Sequence, residues 1–154
     1  MEMKDSVTIP ADRKRVWDAL NDPEILRQCI PGCEELDMLS PTELRAQVLL
    51  KIGPIKVRFS GDVTLSELDP PNSYVLSGEG KGGVAGMAKG AARVKLTEAT
   101  AGQTLLEYEA RVDIGGKIAQ LGARLLDTTA TKLTRKFFED FSQIVSNKRD
   151  SIRP

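Results

Sequence analysis

From Glu34 to Val112 the sequence alternates apolar with polar residues, and over residues 115–147 that alternation gives way to a helical period. This switch restricts the fold more than any other feature. Leu44, Ala46, Val48, Leu50 and Ile52 fall on one side of a strand, with Arg45, Gln47 and Lys51 on the other. Gly53-Pro54 breaks the run. Ile55, Val57, Phe59, Val63 and Leu65 then resume it against Lys56, Arg58, Asp62 and Thr64. The pattern describes antiparallel sheet with one dry face. Asp69-Pro70-Pro71-Asn72 reads as a turn. Tyr74–Ser77, Arg93–Thr97 and Thr104–Val112 supply further strands, and Ala101-Gly102 turns between the last two.

Ahead of this region, Met3, Val7 and Ile9 interleave with Lys4, Ser6 and Thr8 as a short strand. Val16, Trp17 and Leu20 mark the apolar face of a helix. Asp22-Pro23-Glu24 has the N-cap, first-turn proline and acidic residue that open a second short helix, which ends near Cys29 before Pro31-Gly32. The expected order is a strand, two short helices, more strands to about seven in all, and a long helix, an α+β architecture. One domain over residues 1–147 with a frayed tail over 148–154 is expected.

The long helix would extend roughly 50 Å. Its apolar residues Ile118, Leu121, Leu125, Leu133, Phe137, Phe141 and Ile144 recur mostly every fourth position, so the stripe drifts by about 40° per step. Such a helix must bend or break over a curved sheet, and Asp127–Thr131 is the expected weak point because Thr and Asp are mediocre helix formers.

Composition limits the chemistry. The chain has no histidine, which removes Ser–His and Cys–His nucleophile pairs, a histidine base and imidazole metal sites. Cys29 and Cys33 cannot make a four-cysteine cluster and read as reduced thiols. Lys+Arg and Asp+Glu are both 22, so net charge gives no sign of nucleic-acid binding. Residues 1–110 hold 13 basic and 17 acidic groups, and residues 111–154 hold 9 and 5. That asymmetry suits a surface facing an acidic partner or anionic lipid, or two solvated faces. Met1–Pro10 lacks the apolar core of a signal peptide and no stretch is long and apolar enough to span a bilayer, so the expected location is cytoplasmic.

Gly78, Gly80 and Gly83 match G-x-G-x-x-G, but a strand rather than a helix follows, so the dinucleotide reading fails and a hairpin connection or bulged strand pair is expected. Glu107 and Glu109 share an i, i+2 spacing with Arg93 and Lys95, and cross-strand ion pairing on the outer face is expected rather than acid–base catalysis. Gly122 lies between Ala119 and Ala123 in the long helix. Small residues there allow close approach, either of a neighbouring strand or of an apolar ligand.

Ile9-Pro10-Ala11 leading to Val16-Trp17, Asp22-Pro23, Cys29-Ile30-Pro31-Gly32-Cys33, Lys51-Ile52-Gly53-Pro54-Ile55, Gly78-Glu79-Gly80-Lys81-Gly82, the run from Gly115 to Leu125 and Phe137-Phe138 together resemble the CoxG family, named for carbon monoxide dehydrogenase. That family falls within the START-like, Bet v 1-like (SRPBCC) superfamily. The resemblance covers nearly the whole chain. It implies a helix-grip fold, a curved seven-stranded antiparallel sheet wrapped on a long C-terminal helix around an apolar cavity. It also implies a non-catalytic accessory role beside molybdenum-containing dehydrogenases of the carbon monoxide dehydrogenase type, with an isoprenoid quinone or lipid as ligand and attachment of the enzyme to the membrane. Some members carry a hydrophobic C-terminal anchor, and the sequence to Pro154 shows none.

On this reading the candidate ligand contacts are Val48, Leu50, Val57 and Phe59 from the sheet, Met87 and Tyr108 near it, and Ile118, Leu121, Gly122 and Leu125 from the helix. Each is equally suited to ordinary core. Lys132, Arg135, Lys136, Lys148 and Arg149 are the candidate cations for an anionic membrane surface at its inner face or for a partner. A START-like cyclase or hydrolase, which would need Arg58 or Glu109 turned inward, and a docking module with a filled core are the competing readings.

Overall fold

The computed structural model describes the backbone of residues 1–150 and the side chains of residues 1–146. The expected tail over 148–154 and the side chains of Lys148 and Arg149 therefore lie outside the described residues. Strand β1 (Glu2–Ile9) leads to helices α1 (Arg13–Leu20) and α2 (Pro23–Cys29). Strands β2 (Cys33–Ser40), β3 (Glu43–Ile52), β4 (Ile55–Asp69), β5 (Ser73–Lys81), β6 (Met87–Glu98) and β7 (Thr104–Gly115) follow, then helix α3 (Ala123–Asp150). The strands form one antiparallel, seven-stranded sheet in the order β1-β7-β6-β5-β4-β3-β2. It does not close, so β1 and β2 are its edges.

Local chemistry sets the helix starts. The Asp12 carboxylate accepts from the Arg15 amide at 2.9 Å and the Asp22 carboxylate from the Glu24 amide at 2.9 Å, each satisfying an amide that the first turn leaves unpaired. The apolar sides of both helices, with Val16, Trp17, Leu20 and Ile25, pack with Ile9, Leu96, Leu106, Phe141 and Val145 into one filled end of the core. The buried Thr104 hydroxyl donates to the Ala11 carbonyl at 2.8 Å and ties β7 to the chain entering α1. A second, smaller cluster of Ile52, Val57, Phe59 and Ile118 fills the opposite end.

The strands from β5 onward run longer than the sequence pattern suggests, because glycine and alanine stand where the pattern calls for bulky residues. Gly78 and Gly80 lie in β5 and Gly90 in β6, and only residues 82–86 make the connection between those strands. Phosphate binding in the dinucleotide manner has no helix to use there. At Gly61 and Gly90 the neighbouring strand occupies the place of a side chain. A Cβ on Gly90 would lie 2.6 Å from the Arg111 carbonyl oxygen, and one on Gly61 would collide with that of Glu79. Glycine permits this approach and lets the sheet coil tightly.

The expectation of a single helix over 115–147 is corrected. Lys117–Leu121 form a 3-10 turn, and α3 begins at Ala123. The break is at Gly122, not at Asp127–Thr131. The Thr128, Thr129 and Thr134 hydroxyls donate to the carbonyls of Arg124, Leu125 and Ala130, four residues back, so the threonine-rich stretch stays helical. Gly122 has φ +96° and ψ 151°, a region open essentially to glycine alone. Its position does not face the sheet, since a Cβ there would meet nothing within 4 Å. Gly122→Ala is therefore expected to destabilise by about 1–3 kcal/mol through backbone strain without any steric clash, as read in denaturant unfolding. Unchanged stability would mean that the turn relaxes to another conformation.

The glutamates of β7 lie on the outer face, with Glu107 opposite Lys95 and Glu109 opposite Arg93. The ion pairs run elsewhere. Glu109 meets Lys4 at 3.7 Å, and Arg93 meets Glu67 at 3.5 Å. Arg58 is held outward by Glu34, with nitrogen–oxygen distances of 2.7 and 3.0 Å.

Candidate functional site

Between the two filled ends of the core lies an apolar cavity of about 340 Å³. Small-molecule sites span roughly 300–1,000 Å³, so the space is at the lower end of that range. Its sheet wall runs across six strands. Leu44, Ala46, Val63, Leu65 and Leu76 pass into Ala92 and Ala110, and Phe137 and Phe138 of α3 form the opposite wall. Leu26, Ile30, Leu36 and Met38 close the side beside α2 and β2.

Register explains why the space is open. Ala92 stands opposite Ala110 on β7 and opposite Leu76 on β5. Ala46 stands opposite Gly61, which stands opposite Gly80. Val63 faces Gly78, and Gly78 faces Gly90. Paired residues share a face, so a block of glycine and alanine occupies the centre of the inward surface. Valine or leucine at the three alanine positions would reach toward α3 and fill the gap.

The polar side chains of the wall are Asn21, Tyr74, Tyr108 and Thr134. Two of them are already engaged. The Asn21 amide donates to the Trp17 carbonyl at 2.9 Å, and the Thr134 hydroxyl donates to Ala130. Burial pushes the Tyr74 phenol well above its usual range, and its ring meets Trp17 edge-on at 5.3 Å. The Tyr108 phenol is raised too, first by burial and then by the nearby Asp5 carboxylate. Among the described residues no carboxylate, ammonium or guanidinium group lines this cavity.

The structure redistributes the residues that the sequence nominated. Tyr108 lines the cavity. Val48, Leu50, Val57, Phe59, Ile118 and Leu121 instead make up the second cluster, where they pack on one another. Leu125 packs against the β3–β4 turn at Gly53, Met87 lies beside Gly115, and Gly122 sits in the break before α3. The cavity is nearer the middle of α3, one wall being Phe137 and Phe138. Inward alanines and glycines at every second residue, at 78 and 80 and again at 90 and 92, were the available signal for the other wall.

Lys132, Arg135 and Lys136 are exposed on α3, but Lys136 is held by Asp140 at 3.0 Å. The two cysteines are free. Burial, with a smaller contribution from Asp140, pushes the Cys29 thiol up to about 11, which keeps it protonated and unreactive at neutral pH. Among the described residues no cluster of Cys, Asp and Glu could hold a metal ion.

A family model for CoxG, described as the G-type subunit of carbon monoxide dehydrogenase, matches residues 6–146. A conserved protein from Geobacillus kaustophilus superposes with a TM-score of 0.90 at 27% identity, covering 96% of each chain. A START superfamily protein from Mycobacterium smegmatis gives 0.72 at 14% identity, over 95% of this chain and 97% of that one. The Zhui aromatase/cyclase from Streptomyces sp. R1128 gives 0.67 at 12% identity, over 96% and 94%. At the lower identities the likeness shows a shared helix-grip fold. No protein of curated function matches in sequence.

Proposed function

The chain belongs to the CoxG family of carbon monoxide dehydrogenase, and from that premise we propose that it is a non-catalytic accessory protein whose sheet–helix cavity holds an apolar molecule, a lipid or an isoprenoid quinone, in the service of a molybdenum-containing dehydrogenase. The observation that carries this reading is the cavity itself, kept open by Ala46, Ala92 and Ala110 and walled almost entirely by carbon. Burying a hydrocarbon tail contributes about 0.8 kcal/mol per CH₂, so an apolar chain binds there without a charged contact. The phenols of Tyr74 and Tyr108 stay protonated and offer hydrogen bonds rather than a base. Arg58 and Glu109, which the enzyme reading needs inside, lie on the outer face.

Native mass spectrometry of the protein taken from its own host is expected to show a bound apolar molecule that organic solvent removes. A homogeneous unliganded mass, together with no response to an added isoprenoid quinone, would sink the carrier reading and leave a docking role.

A weak contact of α3 with anionic membrane is part of the same proposal. Lys132 and Arg135 are the described cations free to make it, and each contributes on the order of 1 kcal/mol near such a surface. Co-sedimentation with anionic vesicles is expected at low salt and lost as salt rises. Binding that ignores salt, or none at low salt, would make these residues an ordinary solvated face.

A further inference from the structure

Outside the cavity, β1 and α3 enclose a second space, a groove of about 700 Å³ open to solvent. Met3, Tyr108, Thr134 and Phe138 line both spaces, and the Tyr108 and Phe138 rings stack at 5.7 Å between centroids. The two spaces thus share a wall of movable side chains, none of which is fully buried.

The groove differs from the cavity in chemistry. The inward stripe of β1 reads Met3, Asp5, Val7, Ile9, and Asp5 pairs in register with Tyr108, on the side of the sheet that looks toward α3. An inward charge on an edge strand discourages pairing between molecules. That role alone does not explain why the surrounding surface is polar and continuous with the cavity. Ser6 of β1 and Thr131 and Ser142 of α3 add hydroxyls. The carboxylates of Glu2, Asp5, Asp127 and Glu139 outnumber the cations Lys4 and Arg135, and Lys4 is engaged with Glu109 at 3.7 Å.

We propose that this groove is the head-group subsite of the cavity, taking the neutral, hydroxyl-bearing end of an amphipathic molecule whose apolar chain passes Tyr108 and Phe138 into the interior. The assignment rests on the reading that the cavity holds an apolar chain. The excess of carboxylates excludes carboxylate or phosphate heads by like-charge repulsion, and the hydroxyls and carboxylates accept and donate hydrogen bonds to an uncharged head.

Displacement of an apolar fluorescent probe by dodecanol and by dodecanoate, at mildly alkaline pH and low salt, tests this on the intact chain. Dodecanol is expected to displace the probe at several-fold lower concentration. Part of that preference would arise from the water solubility of the acid alone, so the ratio is measured again in the Asp5→Asn/Glu139→Gln double variant. Asn retains an oxygen to accept from the Ser6 amide, as Asp5 does at 2.8 Å. The ratio is expected to narrow in the variant, chiefly through tighter dodecanoate binding, and to narrow in wild type as salt rises. An unchanged ratio in the variant, or equal binding of both amphiphiles to wild type, overturns the head-group subsite while leaving the cavity reading intact. Failure of the probe itself to bind overturns the cavity reading instead.

Discussion

Phe141→Ala is expected to cost about 3–5 kcal/mol of stability, and Phe138→Ala distinctly less. Phe141 is fully buried in the cluster formed with Val16, Trp17 and Val145, and its ring stacks on Phe137 at 5.8 Å with 12° between planes. Truncation there loses the transfer energy of the ring and leaves a hole that α1 and the sheet cannot collapse to fill. Phe138 is only half-buried and already borders both the cavity and the outer groove, so its removal enlarges an existing space. Stability of a domain is typically about 5–15 kcal/mol, and the Phe141 loss would therefore consume a large share of it. Urea unfolding of the two variants measures the difference. Equal losses would mean that Phe138 also packs in a filled core and that the cavity closes in solution.

That contrast between neighbouring aromatics on one helix also shows what can be read from residues alone. Alternation places Leu44 through Ile52 and Ile55 through Leu65 on the inward face correctly, because a one-residue slip would bury Arg45 and Lys51. The cap signals at Asp22-Pro23-Glu24 likewise locate α2, since they act within one turn. The cavity is less legible. Bulky residues such as Val57, Phe59 and Ile118 are conspicuous in a pattern, and they belong to the places that are filled. An open space is marked by what is small, and glycine in a strand reads equally as a turn, a bulge or a bare wall until register is known. Gly78, Gly80 and Gly90 fall into the inward rows only once β4, β5 and β6 are paired. The break at Gly122 is hidden for a related reason. Glycine in a helical pattern reads as a weak helix former, whereas its φ of +96° ends one turn so that the next helix can start in a new direction.

Ala92→Phe is the substitution expected to separate binding from stability most sharply. Ala92 lines the cavity between Leu76 and Ala110 in register, with Phe137 among the residues of the facing wall. A phenyl group added there enters space that is empty in the unliganded protein, and filling a cavity typically gains about 0.5–2 kcal/mol. The same ring takes the volume of several methylenes of a bound chain. At about 0.8 kcal/mol for each CH₂ excluded, losing three costs roughly 2.4 kcal/mol, more than tenfold in affinity. The expected outcome is thus an apo protein at least as stable as wild type that binds an apolar probe at least about tenfold more weakly. Ala19→Phe supplies the opposite case. Ala19 is 3% exposed in the filled cluster with Trp17 and Leu20, so the added ring overpacks it at a cost of about 1–3 kcal/mol or more. Denaturant unfolding and probe titration of both variants decide the matter. If Ala92→Phe destabilises as much as Ala19→Phe, the space between sheet and α3 is filled by its own side chains, and the protein does not carry a ligand there.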